Sequence, residues 1–245
     1  MMEEFVAAAQ TLLDLSLSQQ QVDAFEHYAT ELTKWNERQN LTAIIDPQGI
    51  LIRHFLDSLT CLKLIGSPAQ ADQALKIIDV GSGAGFPGLP LKIVNPEIQL
   101  TLLEATEKKC KFLRHMVREL NLEDVHVIHG RAEDVARQSE HRASYDWAVA
   151  RLVARMPVLL ELLLPFVRSA GCCLVQKGAN AHAETQEAAN ALAILGGQVI
   201  QLLPIELPGV VEMRYLVVVK KISATPEKYP RRAGMPNKRP LLKAQ

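Results

Sequence analysis

The residues with the clearest chemistry in this chain are Asp79-Val80-Gly81-Ser82-Gly83-Ala84-Gly85-Phe86-Pro87-Gly88, which follow the apolar pair Ile77-Ile78. Glycine lacks Cβ, so such a run lets the backbone take positive φ and approach a ligand closely where a buried strand turns into a helix. Pro87 or Pro90 suits the first turn of that helix, whose amide groups have no intrahelical acceptor. Gly83 to Gly88 also matches the G-x-G-x-x-G pattern of dinucleotide-binding turns, so two adenosine-cofactor chemistries fit the segment, hydride transfer and methyl transfer. Asp79 ahead of the earlier Gly81-Ser82-Gly83, and a chain that ends in a hairpin instead of a second dinucleotide-binding half, favour the second.

Three further strand ends carry candidate ligands. Glu104 closes Gln99–Glu104 about 20 residues beyond the glycines, where a carboxylate accepts hydrogen bonds from ribose hydroxyls. Ala132 and Glu133 follow the third strand at the carboxyl edge, with room for an adenine, while Asp134 reads as a cap for the next helix. The fourth strand runs into Ala150-Arg151-Leu152-Val153-Ala154-Arg155. It has neither a Pro-Pro-Tyr or Pro-Pro-Phe segment to hold an exocyclic amine nor a Pro-Cys nucleophile for pyrimidine C6. Arg151 suits a cofactor carboxylate or an RNA phosphate; Arg155 suits a phosphate or a surface salt bridge.

The elements that must position these groups follow from periodicity. Ser18 and Gln21 form a capping box ahead of Val22, Phe25, Ala29, Leu32 and Trp35 at helical spacing. Asp46-Pro47 starts another helix, with Leu51, Phe55, Leu59 and Leu62 on one stripe. From Lys76 onward, short strands alternate with helices: Lys76–Val80, Gln99–Glu104, Val125–His129, Tyr145–Ala150, Cys172–Gln176, Gln198–Leu203 and Arg214–Val219. Helical segments such as Lys108–Leu120 and Pro157–Val167 lie between them. Pro204 to Met213 is too short for a helix, so the last two strands form an antiparallel hairpin. The expected class is α/β, a Rossmann-like seven-stranded mixed sheet with helices on both faces and an N-terminal helical extension. The expected division is 1–72 for the extension, 73–221 for the cofactor-binding domain and 222–245 for a basic tail.

Formal net charge is zero over 245 residues, but the charge is unevenly placed: residues 220–245 carry +7 and residues 1–219 carry −7. Such a tail can follow a nucleic-acid backbone, and Lys108, Lys109, Lys111, Arg114 and Arg118 form a second basic stripe that reads equally as a solvated face. Cys61, Cys110, Cys172 and Cys173 have no C-x-x-C pairing and no His partners at zinc spacing, so no metal site or disulfide framework is expected. The acidic start Met1-Met2-Glu3-Glu4 is unlike a signal peptide, and no apolar run reaches about 18 residues. A cytoplasmic monomer is expected.

Taken together, Trp35-Asn36 with Asn40-Leu41-Thr42, Arg53-His54-Phe55-Leu56-Asp57-Ser58-Leu59, the glycine loop, Gly130-Arg131-Ala132-Glu133, Ala150-Arg151, Lys177-Gly178 and Tyr229-Pro230-Arg231 resemble the bacterial glucose-inhibited division protein B family, methyltransferases of guanine N7 in small-subunit ribosomal RNA. Leu152 departs from the Ala expected there. The resemblance implies S-adenosylmethionine as cofactor and 16S rRNA or the small ribosomal subunit as partner, with cofactor contacts on Gly81, Phe86, Glu104, Ala105, Thr106, Ala132, Glu133 and Arg151. Candidates for RNA contact are Arg53, His54, Arg155, Lys177, Arg231, Arg232, Lys238 and Arg239; for Asn36, Asn40, Arg53, His54 and Asp57 a structural hydrogen-bond network is the alternative. Guanine N7 presents a free lone pair, so a site without an evident general base is compatible with that chemistry. An NAD-dependent oxidoreductase and a non-catalytic RNA-binding assembly factor are the competing classes.

Overall fold

The computed structural model describes residues 1–65, 74–151 and 154–242. Leu152, Lys243 and the expected boundary at 72/73 lie outside the described residues. Seven strands, β1 (Lys76–Val80), β2 (Gln99–Glu104), β3 (Val125–His129), β4 (Tyr145–Arg151), β5 (Val167–Lys177), β6 (Gly197–Ile205) and β7 (Arg214–Lys221), form one sheet in the order β3-β2-β1-β4-β5-β7-β6. The first five pair in parallel, and β7 inserts antiparallel between β5 and β6. The order reverses between β1 and β4, which opens a crevice at their carboxyl ends.

Helices cover both faces. On one lie α1 (Met2–Leu13), α2 (Gln19–Gln39), the short α3 (Pro47–Gly49), a π-helical segment Ile50–Leu56, α4 (Asp57–Leu59), α5 (Leu62–Ile65), α6 (Gly88–Val94) and α7 (Glu107–Glu119). The other face carries α8 (Ala132–Val135), α9 (Met156–Leu163), α10 (Ala181–Glu187), α11 (Ala189–Leu195) and the tail with α12 (Met235–Lys238). Helix α2 starts at the expected capping box and turns Phe25, Tyr28 and Leu32 into the core. Burying each such apolar side chain contributes on the order of 1.5–3 kcal/mol, so this stripe fastens the N-terminal helices to the sheet. Phe25 and Tyr28 meet Phe55 at centroid separations of 5.1 and 5.0 Å.

Three local expectations change. Asp46 caps Pro47–Gly49 as expected, but the chain then widens into a π-helix, a form frequent at functional sites. Strand β6 runs through Pro204 instead of ending before it; β6 is the sheet edge, where a residue without an amide hydrogen leaves no ladder bond broken. Asp134 sits inside α8, whose N-cap is Arg131, so it does not cap that helix.

Candidate functional site

At the carboxyl edge, a cleft of about 420 Å³ is lined by Leu41, Thr42, His54, Gly81, Ser82, Gly83, Ala84, Phe86, Glu104, Ala105, Lys109 and Arg151. Its floor is the glycine loop between β1 and α6. Gly81, Gly83 and Gly85 all have positive φ. At Gly83 an added Cβ would meet nothing nearer than 3.9 Å, so the backbone there faces open space that a ligand can fill. Gly85 serves packing instead: its Cβ would lie 2.6 Å from the Tyr28 hydroxyl and 2.5 Å from Leu89. Tyr28 reaches from α2 to donate to the carbonyl of Ala84, tying the N-terminal helices to the loop.

Beneath the loop, Asp79 is wholly buried. Its Oδ2 accepts from the Gly88 amide at 2.8 Å and its Oδ1 has no partner among the described residues. Burial pushes its carboxyl up to about 7, against the lowering effects of the Gly88 amide and Arg151. Across the loop, Glu104 is held by two backbone amides, Gly83 N to Oε2 at 3.0 Å and Thr106 N to Oε1 at 2.8 Å. These bonds fix the carboxylate in place before a ligand arrives.

Arg151 closes the other side and is the hub of a buried network. Its Nη1 donates to the Arg53 carbonyl at 2.8 Å and to Asp57 Oδ2 at 3.3 Å, and its Nη2 lies 3.0 Å from His54 Nδ1. A guanidinium only donates, so His54 Nδ1 accepts; the ring proton is thereby assigned to Nε2, which donates to Thr42 Oγ1 at 2.7 Å. Burial and the adjacent guanidinium push the His54 pKa down to about 3, so the ring is neutral. His54 stacks on Phe86 at 4.5 Å, and the Arg151 guanidinium lies 4.7 Å from the same ring. Thr42 is positioned in turn by Asn36, which donates to its carbonyl at 3.0 Å and accepts from its amide at 2.8 Å. The motifs around Asn36, Thr42, His54 and Asp57 therefore assemble one hydrogen-bonded scaffold behind Arg151. Of the five N–H donors of a guanidinium, one on Nη2 and the one on Nε have no partner among the described residues, the pair that meets a carboxylate edge-on.

The sequence-selected residues divide by place. Gly81, Phe86, Glu104, Ala105 and Arg151 line the cleft, and Thr106 supplies its amide to Glu104. Ala132 and Glu133 are not among the residues lining the cleft; they are buried after β3, where Glu133 Oε1 accepts from the Gly234 amide at 2.9 Å. His54 belongs to the Arg151 scaffold. Arg53 pairs with Glu212 at 3.2 Å and Arg155 pairs with Glu187, both at the surface of the same edge. Lys177 is buried, donating to Glu184 at 2.6 Å and to the Ala154 carbonyl at 2.7 Å. Arg231 turns inward onto the fully buried Glu161, whereas Arg232, Lys238 and Arg239 are exposed. Sequence reasoning missed Tyr28, whose place between Phe25 and Leu32 marks it only as core, and Lys109, hidden within the basic stripe of α7.

The site fits S-adenosylmethionine. A glycine loop with open space above it, a pre-oriented carboxylate at the end of β2 and two arginine donors unused by the described residues offer partners for backbone approach, a ribose diol and an amino-acid carboxylate. Among the described residues no group of three or more His, Cys, Asp or Glu is placed to hold a metal ion.

Known proteins bear on this geometry. A YcgJ protein from Bacillus subtilis aligns over 70% of this chain and all of its own, with TM-score 0.51 and 16% identity. A geranyl diphosphate methyltransferase in complex with its cofactor gives TM-score 0.53 at 12% identity, over 68% of this chain and 85% of its own. At such identities the likeness is one of fold alone, a Rossmann-like α/β sheet. Sequence relatives are much nearer. The "Ribosomal RNA small subunit methyltransferase G" of Roseiflexus castenholzii is 48% identical over 241 residues, 98% of this chain and 100% of the relative. That of Desulforamulus reducens is 42% identical over 229 residues, 94% of each. Residues 21–207 match the GidB family model, described as rRNA small subunit methyltransferase G. With a match that spans the cleft and relatives aligned nearly end to end, the chain belongs to the rRNA small subunit methyltransferase G family.

Proposed function

We propose that this chain transfers the methyl group of S-adenosylmethionine to N7 of a guanine in 16S rRNA. The observation that carries the reading is the pairing, in one cleft beside the glycine loop, of a carboxylate fixed by two amides with an arginine held by a buried scaffold and facing the same space. Glu104 receives the ribose hydroxyls, Arg151 receives the amino-acid carboxylate, and Phe86 supports the Arg151 and His54 planes. Ala132 and Glu133 bound the adenine. The cofactor supplies an electrophilic methyl group on a cationic sulfur. Guanine N7 carries a free lone pair and needs no proton removed, so the residues of the site orient and exclude water and do not act as a base.

RNA approaches the carboxyl edge, where Arg53 and Arg155 exchange surface carboxylates for phosphates. We read residues 1–72 as a cover that completes the site through Tyr28, Thr42 and His54, residues 73–221 as the catalytic unit and residues 222–245 as a basic tail packed back onto that unit through Tyr229 and Arg231. The chain acts as a monomer in the cytoplasm, where ribosomal RNA is assembled. Among the described residues no helix is long and apolar enough to cross a membrane.

The test is to incubate the protein with labelled S-adenosylmethionine and either naked 16S rRNA or small subunits, then map the label by mass. Label on guanine N7 at one position is expected. Cofactor binding without transfer to either substrate would leave a non-catalytic RNA-binding role.

A further inference from the structure

The Tyr229-Pro230-Arg231 motif is used by none of the chemistry above, yet each of its three residues is held by the body of the protein. Glu161, fully buried on α9, accepts from Arg231 at four contacts: the backbone amide at 2.8 Å, Nε at 2.9 and 3.2 Å, and Nη2 at 2.6 Å. Arg137 donates to the Pro230 carbonyl at 2.5 Å and Arg142 to the Tyr229 carbonyl at 2.9 Å, while the Tyr229 ring is buried in the core of that face. An arginine matched to a buried carboxylate in this way is a fixed joint, because losing either partner leaves a buried charge alone. Three residues beyond the joint the chain turns at Gly234, with φ +79°, and its amide donates to Glu133 Oε1.

We propose that residues 229–234 form a clip that positions Glu133 for the adenine of the cofactor, so that tail closure and cofactor binding are coupled. This rests on the reading of Glu133 as an adenine contact. With Oε1 engaged by Gly234, Oε2 is presented to the exocyclic amine of adenine. Arg231, Glu161 and Gly234 are positioning residues in this scheme, since they touch Glu133 or one another and not the reacting atoms. Coupling is reciprocal: if the closed clip favours the cofactor, the cofactor favours the closed clip.

Limited trypsin digestion of the full-length protein reads the clip directly, since Arg232 is exposed and the chain around it must open to enter a protease. S-adenosylmethionine and adenosine are expected to slow cleavage after Arg232 by about threefold or more, and methionine alone to leave it unchanged. Equal cleavage with and without adenosine overturns the proposal. The paired variant Glu161→Gln with Arg231→Gln removes both charges together; it is expected to raise KM for S-adenosylmethionine about three- to tenfold, the loss of one hydrogen bond's worth of affinity, with kcat unchanged. A folded paired variant with unaltered KM also overturns it. Glu133→Gln separates the two levels: wild-type cofactor affinity in that variant removes the adenine reading itself, whereas weakened affinity without clip protection in the unsubstituted protein removes only the coupling.

Discussion

Glu104 shows how much a single residue's role depends on what holds it. An acidic side chain at a strand end is unremarkable by itself, and a free surface carboxylate would have to be ordered at the moment of binding. Here the amides of Gly83 and Thr106 have already ordered it, one from the glycine loop and one from its own turn. Glu104→Ala is therefore expected to weaken S-adenosylmethionine affinity roughly tenfold or more, through loss of charged-group hydrogen bonds of ~1.5–3 kcal/mol and through a looser Gly83. Calorimetric titration of the folded variant checks this; unchanged affinity would remove Glu104 from the site. The position was legible in the sequence because strand and glycine spacing place it. The role of His54 was less so. Its spacing put it on an amphipathic helix, but only the fold brings Thr42 to Nε2 and Arg151 to Nδ1, which makes it a neutral support for Arg151.

At the scale of elements, local signals sufficed where the pattern is local. The capping box at Ser18, the Asp46-Pro47 start, five parallel strands and a closing hairpin all stand where propensity and spacing put them. The insertion of β7 between β5 and β6 was not readable, because strand neighbours are fixed by packing across the sheet. Nor was the inward turn of Arg231: a +7 tail looks like a nucleic-acid arm until Glu161 is seen, far away in sequence and fully buried, to hold one of its charges. The link between α2 and the glycine loop is of the same kind. Tyr28→Phe keeps the aromatic stack with Phe55 and Phe86 and removes only the bond to the Ala84 carbonyl. A cost of about 0.5–1.5 kcal/mol in stability is expected, with a weaker cofactor affinity because the loop loses its tether to α2. Denaturant unfolding and cofactor titration of that variant check both. A change in stability alone would mean that the tether holds the helix and not the loop.

The whole molecule decides the mechanism, since a protein base or nucleophile must be both reactive and within reach of the cleft. No cysteine meets the first condition. Cys61, Cys110 and Cys173 are buried and Cys172 is half-buried, and desolvation raises every one of these thiols, Cys110 to about 11. At neutral pH none is a thiolate, the form that attacks. His54 is no base either: both ring nitrogens are engaged and its pKa of about 3 makes it a poor proton acceptor. Burial raises the Asp79 carboxyl to about 7, yet it is sealed beneath the loop with its proton out of reach of a substrate. Its folded pKa lies above the ordinary 3.8, so it favours the fold fully below that value and progressively less as pH rises toward 7. A cationic cofactor nearby counters this by stabilising the carboxylate. Asp79 should therefore affect cofactor affinity and stability but not the chemical step. Single-turnover methyl transfer at saturating cofactor and RNA is expected to show no unit-slope rise with pH through neutrality, and Cys61, Cys110, Cys172 and Cys173, each replaced by Ser in a folded variant, are expected to retain activity. A rate climbing tenfold per pH unit, or one cysteine whose loss abolishes transfer while cofactor and RNA still bind, would require a base or a covalent adduct, and with it an acceptor atom other than guanine N7.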